Sequence, residues 1–186
     1  MWDLPAEIQI TGDEHIYCRE NDTETARFYN KAGIPIRYVS APTAPSRIYR
    51  IGLWFEPGKL SFIESRAADI VGHIAEVTSG GPGFLDVLPK GVSKGNALEY
   101  FVSTMPSRPD IIVAAGDHDN DLTMLRYADI AAVPGNGAEN LFSVADIIIP
   151  KAAEHGVSAL INHMLSPNFP RTRAEIIPNR DKPLTL

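Results

Sequence analysis

The sequence predicts an α/β protein in which a parallel sheet follows a smaller α+β domain. In the second half of the chain, short apolar runs rich in Ile and Val alternate with stretches of helical spacing. The runs are continuous rather than alternating, as is typical of parallel strands that are covered on both faces. The first half mixes helices and strands without this regular alternation. A length of 186 residues suits one core with a small additional domain.

The first half predicts an α+β unit. A short helix at 26–32 ends before Gly33, and a helix at 59–72 carries apolar residues at helical spacing. Four strand candidates accompany these helices, at 34–40, 47–55, 74–78 and 84–88.

The second half predicts strands that alternate with helices. The buried strands are expected at 111–115, 130–133 and 147–149, and the helices at 93–105, where Ser93 is a plausible N-cap, and 156–165. This alternation implies a parallel sheet with right-handed crossovers.

The chain therefore divides into four predicted parts. Residues 1–19 lead from a core into the α+β domain, 20–88 form that domain, and 89–165 form the α/β part. Residues 166–186 contain four prolines and little apolar periodicity, so we interpret them as an extended or mobile arm.

Composition excludes several classes of protein. The 17 Lys and Arg residues against 23 Asp and Glu give a formal charge of −6, and no dense basic patch is present, which argues against a nucleic-acid partner. No window approaches the roughly 18 apolar residues of a membrane span, and no basic and apolar leader opens the sequence. The single Cys18 fits a reducing compartment, so we expect a cytoplasmic protein without a membrane partner.

One loop carries three carboxylates at alternate positions. Asp117, Asp119 and Asp121 follow the strand at 111–115 directly and precede a helix. Ligands of open α/β sheets bind beyond the carboxyl ends of the strands. Carboxylates this close together repel one another, and Mg²⁺ is the economical compensating ion.

Two other interpretations apply to loops of this kind. Asp119 and Asp121 are also common helix-capping residues, which would make them structural. An EF-hand calcium loop fails, because its sixth position is Leu122 instead of Gly and its twelfth is Ala128 instead of Glu.

A lysine lies at a second strand-to-helix junction. Lys94 occupies the first turn of the helix at 93–105, where its charge opposes the helix dipole unless an anion is present. A phosphate group would supply that anion. A solvated side chain is the alternative for any single lysine in this position.

Taken together, these two junctions resemble the haloacid dehalogenase superfamily of phosphotransferases. Lys94 matches its third motif, and Gly116, Asp117 and Asp121 match its fourth. The α+β domain resembles the cap of subfamily IIB, and the run 85–98 is similar to the signature of sucrose-phosphate phosphatases. The likeness spans about residues 5–165.

The resemblance implies a magnesium-dependent phosphatase that acts on a small phosphorylated substrate, with a sugar phosphate as the first candidate. It implies that Asp117 is a metal ligand, that Asp121 is a second or water-mediated ligand, and that Lys94 stabilises charge. The positions that it implies around the phosphate are Asn120, Asn136 and, as an open question, His118. Trp54 is interpreted as a packing residue, with a sugar platform in the cap as the alternative.

The family's first two motifs do not occur in this sequence. Its nucleophile lies in an Asp-x-Asp pair at the end of an apolar strand, and the only such pairs here fall within 117–121. A Thr-Gly-Arg or Ser-Gly-Arg second motif is also absent. Two hypotheses follow: a phosphatase that is active only with the missing segment, or a catalytically silent remnant that binds a phosphorylated ligand, Mg²⁺ or a protein.

The missing first strand also predicts an uncovered sheet edge. In the family, this strand pairs with the fourth-motif strand, which corresponds to 111–115. An apolar edge is a liability. We expect a second copy of the chain in a homo-oligomer, the proline-rich tail, or a separate N-terminal piece to cover it.

Overall fold

The computed structural model describes residues 3–40, 45–81, 83–176 and 184–185. The chain forms two compact units, Met1–Val92 and Ser93–Leu186. Both contain a sheet and helices, as the mixed α/β prediction requires. In the part of the chain that the structure describes, no helix is long and apolar enough to cross a membrane.

Unit 1 is built on a six-stranded sheet with the strand order β3-β2-β1-β4-β6-β5. The pair β2 and β3 is parallel, and the other neighbours are antiparallel. Its elements are β1 Glu7–Thr11, β2 Ile16–Cys18, α1 Thr23–Lys31, β3 Ile36–Tyr38, β4 Arg50–Trp54, α2 Leu60–Val71, β5 Ala75–Gly81 and β6 Phe84–Pro89.

The stretch 3–19 contributes strands β1 and β2 to this sheet. Strand β1 pairs with β4 along its whole length, and β2 pairs with β3. The division of the chain at residues 19, 88 and 165 stays a prediction. The hydrophobic core of unit 1 lies on one face of the sheet, where Ile8 and Leu53 pack with Ile63 of α2. Burial of this apolar face is what holds α2 on the sheet.

Unit 2 contains a parallel sheet with the strand order β10-β9-β8-β7. Its elements are α3 Lys94–Ser103, β7 Val113–Ala115, α4 Leu122–Tyr127, β8 Ile130–Pro134, β9 Ile147–Ile149, α5 Gly156–Met164, α6 Arg173–Ile176 and β10 Leu184–Thr185. The expected strands and helices are confirmed, with ends that differ by one or two residues.

Both faces of this sheet are buried, which explains why its strands are apolar at every position. In β8, Ala131 and Val133 pack against Leu125 of α4, whereas Ile130 and Ala132 belong to a second cluster with Leu160 of α5. Successive side chains of a strand point to opposite faces, so a sheet with helices on both sides requires continuous hydrophobic runs.

Two expectations about the ends of unit 2 need correction. Strand β7 begins at Val113 rather than at 111. The N–H of Ile112 donates to the Asp129 carboxylate, 2.9 Å, and its carbonyl accepts from the N–H groups of both Asp129, 2.8 Å, and Ile130, 3.1 Å. The described part of the tail is not wholly extended, since it contains the helix α6. Strand β10 pairs with β9, so the tail residues 184–185 do not cover the β7 edge.

Candidate active site

The loop after β7 folds back on itself around Asp121. The N–H groups of Asp117 and His118 donate to Asp121 Oδ2 at 2.9 and 3.1 Å. Gly116 makes this turn possible, because a Cβ at that position would lie 2.7 Å from Cγ of Asp121. The glycine of the Gly-Asp pair is therefore required by packing, and Asp121 is buried to 4% exposure.

Helix α3 delivers Lys94 to the same place. Ser93 is the N-cap, as the sequence predicts, and its Oγ accepts from the N–H of Asn96 at 3.1 Å. The next residue, Gly95, donates its N–H to Thr123 Oγ1 of α4 at 3.1 Å. A Cβ on Gly95 would lie 2.6 Å from the Thr123 carbonyl, so the two helix starts are in direct contact.

Lys94 forms an ion pair with Asp121. Its Nζ donates to Asp121 Oδ1 and, at 3.3 Å, to Asn120 Oδ1. The lysine side chain remains 50% exposed, whereas Asp121 is buried. The structure thus brings together three of the residues that the sequence singled out, and it leaves the ammonium accessible from solvent.

The hydrogen bonds to Asp121 stabilise its charged form. Burial acts to raise the pKa of this carboxyl group, but the hydrogen bond from Lys94, the N–H groups of His118 and Asp117, and the lysine charge outweigh it and hold the pKa below its ordinary value. Both carboxylate oxygens are occupied, so Asp121 is better suited to orienting Lys94 than to binding a metal directly.

Asp117 is the more available carboxylate. Its side chain is 47% exposed at the carboxyl end of β7, and its Oδ1 lies 3.0 Å from His118 Nδ1. Its backbone carbonyl accepts from the N–H of Ala138 at 2.9 Å. This contact ties the turn after β8, which carries the exposed Asn136, to the same end of the sheet.

Asp119 does not join the other two carboxylates. It is exposed at the start of the short 3₁₀ segment Asp119–Asp121 and has no side-chain partner among the described residues. Likewise, the described residues contain no group of three or more Asp, Glu, His or Cys side chains that could hold a metal. Lys94 compensates the charge of Asp121, and a Mg²⁺ site at Asp117 and Asp121 stays a prediction.

A metal ion would thus have one free carboxylate here. Mg²⁺ is commonly held by one or two carboxylates together with phosphate oxygens and water. The accessible Asp117 fits that requirement in donor type. A cavity of about 180 Å³ opens beside it, lined by Asp117, Pro134, Ile149 and Val157 among others.

Sequence reasoning missed Thr123. It contributes no motif of its own, since a Thr near a helix start is common. The signal is visible only when two positions are read together. Gly95 follows Lys94, and the hydroxyl of Thr123, two residues after Asp121, accepts the N–H of Gly95.

A far larger cavity, about 660 Å³, lies in unit 1 beside Glu7, Arg19 and Trp54 and is lined by a different set of residues.

Comparisons with known proteins show to which family the chain belongs. The haloacid dehalogenase-like hydrolase family matches residues 3–161. The chain is 34% identical over 104 residues, 56% of its length, to the chloroplastic endoribonuclease YBEY of Arabidopsis thaliana, and 31% identical over 101 residues, 54% of its length, to a phosphoglycolate phosphatase of Methanopyrus kandleri. These matches span 18% and 44% of the two relatives, so the chain corresponds to less than half of either protein.

A solved structure shares the fold. The HAD subclass IIB sugar phosphatase BT4131 superimposes with a TM-score of 0.67 at 19% identity, over 86% of this chain and 61% of that one. At this identity the likeness concerns the fold alone. With the family match covering most of the sequence, the chain belongs to the haloacid dehalogenase-like hydrolases and has the mixed α/β fold of subclass IIB.

Proposed function

We propose that this chain supplies the phosphate- and metal-binding part of a Mg²⁺-dependent phosphatase that acts on a small phosphorylated metabolite. The observation that carries the proposal is the convergence of Lys94 and Asp117 with Asp121 at two adjacent helix starts. An accessible ammonium beside an accessible carboxylate is the pair that a metal-bound phosphate requires.

Each residue has a distinct role in this proposal. Asp117 would hold the metal, which lowers the charge of the phosphate when bound. Asp121 fixes Lys94, whose ammonium neutralises phosphate oxygens. The Asn120 side chain accepts a second hydrogen bond from Lys94 and limits its rotamers, while the partly buried His118 and the exposed Asn136 would contact the phosphate or its leaving group.

The substrate is proposed as a sugar phosphate. The support is the shared fold with a protein named as a sugar phosphatase and the similarity of run 85–98 to sucrose-phosphate phosphatases. Phosphoglycolate is the competing substrate, because it appears in the name of a relative that is 31% identical. The location of this protein in the cytoplasm stays a prediction from the single Cys18.

Hydrolysis by the family's covalent route needs a nucleophilic carboxylate. The Asp-x-Asp pairs of this sequence lie within 117–121, where Asp117 and Asp121 already have other roles. We therefore propose that turnover requires an Asp-x-Asp strand from outside these 186 residues. The alternative is a silent binding protein for a phosphorylated ligand.

Phosphate release separates these two functions. We would assay the chain alone and the chain joined to the N-terminal segment of a IIB phosphatase, with sucrose 6-phosphate, glucose 6-phosphate and phosphoglycolate, in Mg²⁺ and in EDTA. The phosphatase proposal expects turnover only in the joined protein with Mg²⁺, and a loss of at least about 100-fold in Asp117→Ala. Asp119→Ala is the matched control and should retain activity.

The remaining outcomes are equally informative. A joined protein that folds, binds phosphate in Mg²⁺ and releases none supports the silent binding protein. Turnover that survives Asp117→Ala contradicts both proposals, since each assigns the metal to that carboxylate.

A homo-oligomer is proposed from the edge of the unit 2 sheet. Strand β7 has a partner on one side only within the described residues, and it is apolar throughout. Pairing with the same strand of a second copy would satisfy the outer edge. Light scattering during size-exclusion chromatography should then give a mass of twice 20.3 kDa or more, and a strictly monomeric chain would contradict this expectation.

A further inference from the structure

His118 and Asp117 place two potential metal ligands side by side. Nδ1 of the His118 ring lies 3.0 Å from Oδ1 of Asp117, at the carboxyl end of β7. Both side chains are reached by solvent, with 39% of His118 and 47% of Asp117 exposed. An imidazole nitrogen and a carboxylate oxygen are common ligands of divalent first-row metal ions.

The distance between these two atoms is that of neighbouring ligands on one octahedral ion. Ligand atoms about 2.1 Å from a metal are about 3.0 Å apart when they lie at right angles, and about 3.4 Å apart at the tetrahedral angle. The observed 3.0 Å between Oδ1 and Nδ1 agrees with the first arrangement. A hydrogen bond from Nδ1 to the carboxylate has the same length and is the competing interpretation.

The backbone that carries this pair is fixed. The N–H groups of Asp117 and His118 donate to the buried carboxylate of Asp121 at 2.9 and 3.1 Å. The Asp117 carbonyl accepts from the N–H of Ala138 at 2.9 Å. Two ligands on a fixed backbone lose less conformational freedom when they bind an ion than two ligands on a mobile loop.

The lone pair of Nδ1 is available to an ion. The His118 side chain faces the N–H of Asp121, as in a capping box, but this N–H already donates to the His118 carbonyl at 2.8 Å. The contact with the ring is therefore dispensable. In a neutral imidazole, one nitrogen accepts and the other donates, so Nε2–H can still donate to a phosphate oxygen while Nδ1 binds a metal.

The site leaves room for the other ligands of an octahedral ion. Asp117 and His118 supply two of the six positions. Among the residues that the structure describes, no third His, Cys, Asp or Glu side chain completes a metal-binding group with them. A cavity of about 180 Å³ lies beside Asp117, through which water and phosphate oxygens can complete the shell.

The charge of the loop attracts a cation. Asp117, Asp119 and Asp121 carry three negative charges, against one positive charge on Lys94. Both oxygens of Asp121 are taken by hydrogen bonds, so this carboxylate adds charge without adding a ligand atom. A local surplus of negative charge raises the concentration of cations at the site.

We propose that Nδ1 of His118 is a ligand of the metal that Asp117 holds, and that the site therefore prefers a first-row transition-metal ion to Mg²⁺. The proposed ligand rests on the proposed function, in which Asp117 binds the metal. Mg²⁺ is held by oxygen ligands, whereas the affinity of a site that contains imidazole rises along the series from Mn²⁺ to Cu²⁺. Mn²⁺ is the weakest binder of that series, so a preference for Mn²⁺ over Mg²⁺ extends to the other ions.

Calorimetric titration of the whole chain with Mn²⁺ and with Mg²⁺ tests the preference. The Kd for Mn²⁺ should be at least about tenfold lower than the Kd for Mg²⁺. His118→Ala should raise the Kd for Mn²⁺ at least about tenfold more than the Kd for Mg²⁺. His73→Ala removes an exposed histidine of unit 1 and is the matched control, with both Kd values unchanged. Equal affinity for the two ions, or a preference for Mn²⁺ that survives His118→Ala, overturns the proposal.

Electron spin echo envelope modulation of the bound Mn²⁺ separates coordination from a hydrogen bond. The wild-type chain and His73→Ala should show the modulation of a directly bound nitrogen, and His118→Ala should lose it. If bound Mn²⁺ shows no nitrogen modulation, or if the chain binds no Mn²⁺, then His118 is not a ligand.

Asp117→Ala separates this proposal from the proposed function. If Asp117→Ala abolishes Mn²⁺ binding but no nitrogen modulation is seen in the wild-type chain, the metal assignment of Asp117 stands and only the His118 ligand is refuted. Mn²⁺ binding that is unchanged in Asp117→Ala contradicts both, because each places the ion on that carboxylate.

Discussion

Lys94 and Asp121 are 27 residues apart in sequence and form an ion pair in which the carboxylate is buried and the ammonium is half exposed. Lys94 is the first residue of α3, and Asp121 is the last residue of the 3₁₀ segment Asp119–Asp121 that precedes α4. Asp121 also receives the N–H groups of Asp117 and His118, so a single carboxylate closes the loop and positions the lysine. Stability and the proposed function therefore depend on the same group.

Replacing Asp121 with Asn should destabilise unit 2 by about 1–3 kcal/mol, because Lys94 loses its charged partner and one amide group cannot accept all of the hydrogen bonds. Urea denaturation of the two proteins measures the difference. Asp119→Asn makes the same substitution two residues away on an exposed side chain and should change stability by less than about 0.5 kcal/mol. Equal effects at the two positions would show that the ion pair contributes nothing.

The same pair predicts a dependence of stability on pH. Because the pKa of Asp121 is held below its ordinary value of 3.8 in the folded chain, its contribution is fully present above that value and is lost as the pH falls through the lowered pKa. The stability difference between the wild-type chain and Asp121→Asn should be constant near neutral pH and should shrink below about pH 3.8. Urea titrations over this range measure it. If the stability difference shrinks near neutral pH instead, a group other than Asp121 is responsible for it.

The sequence predicted the partners of this site but not their arrangement. Lys94 and the aspartates follow strands or begin helices, and such positions converge at one edge of a parallel sheet. Which aspartate receives the lysine depends on the close approach of Gly95 to Thr123, a contact between two helices that no local pattern encodes. The sequence predicts that Asp117 and Asp121 hold Mg²⁺ and that Lys94 stabilises charge, but it does not predict that Lys94 binds Asp121 directly.

The fold shows a similar limit. Apolar runs identified the strands of unit 2, because burial on both faces leaves a continuous signal. The pairing of the two-residue strand Leu184–Thr185 with β9 leaves no such signal in the sequence, because a strand this short has no periodicity.

Gly95→Ala should destabilise the chain and reduce the affinity of the site for phosphate. A methyl group would lie 2.6 Å from the backbone of Thr123, so the two helix starts must separate, at a cost of about 1–3 kcal/mol. Thermal unfolding measures the loss, and Lys94 should move away from Asp121. Gly135→Ala is the matched control in the same unit, since its Cβ would meet only the Ile149 carbonyl at 3.9 Å. An unchanged Tm for Gly95→Ala would mean that α3 is free to shift.

A second ion pair anchors the strand that leads to the site. Arg108 donates to both carboxylate oxygens of Asp129, at 3.0 and 2.8 Å, and Asp129 also accepts from the N–H of Ile112 just before β7. The Arg108 side chain is 36% exposed and that of Asp129 only 2%. Removing the guanidinium therefore takes a positive charge away from a buried carboxylate.

Arg108→Ala should therefore lower the free energy of unfolding by about 1–3 kcal/mol, less than for a fully buried pair because water reaches the arginine. Arg108→Lys should recover part of the loss, since an ammonium keeps the positive charge but lacks the second nitrogen that donates to the Pro109 carbonyl. Arg126→Ala, on the exposed side of α4, should stay within about 0.5 kcal/mol of the wild-type chain. If Arg108→Ala and Arg126→Ala unfold at the same urea concentration, then the guanidinium is not needed to hold Asp129 or to set the entry of β7.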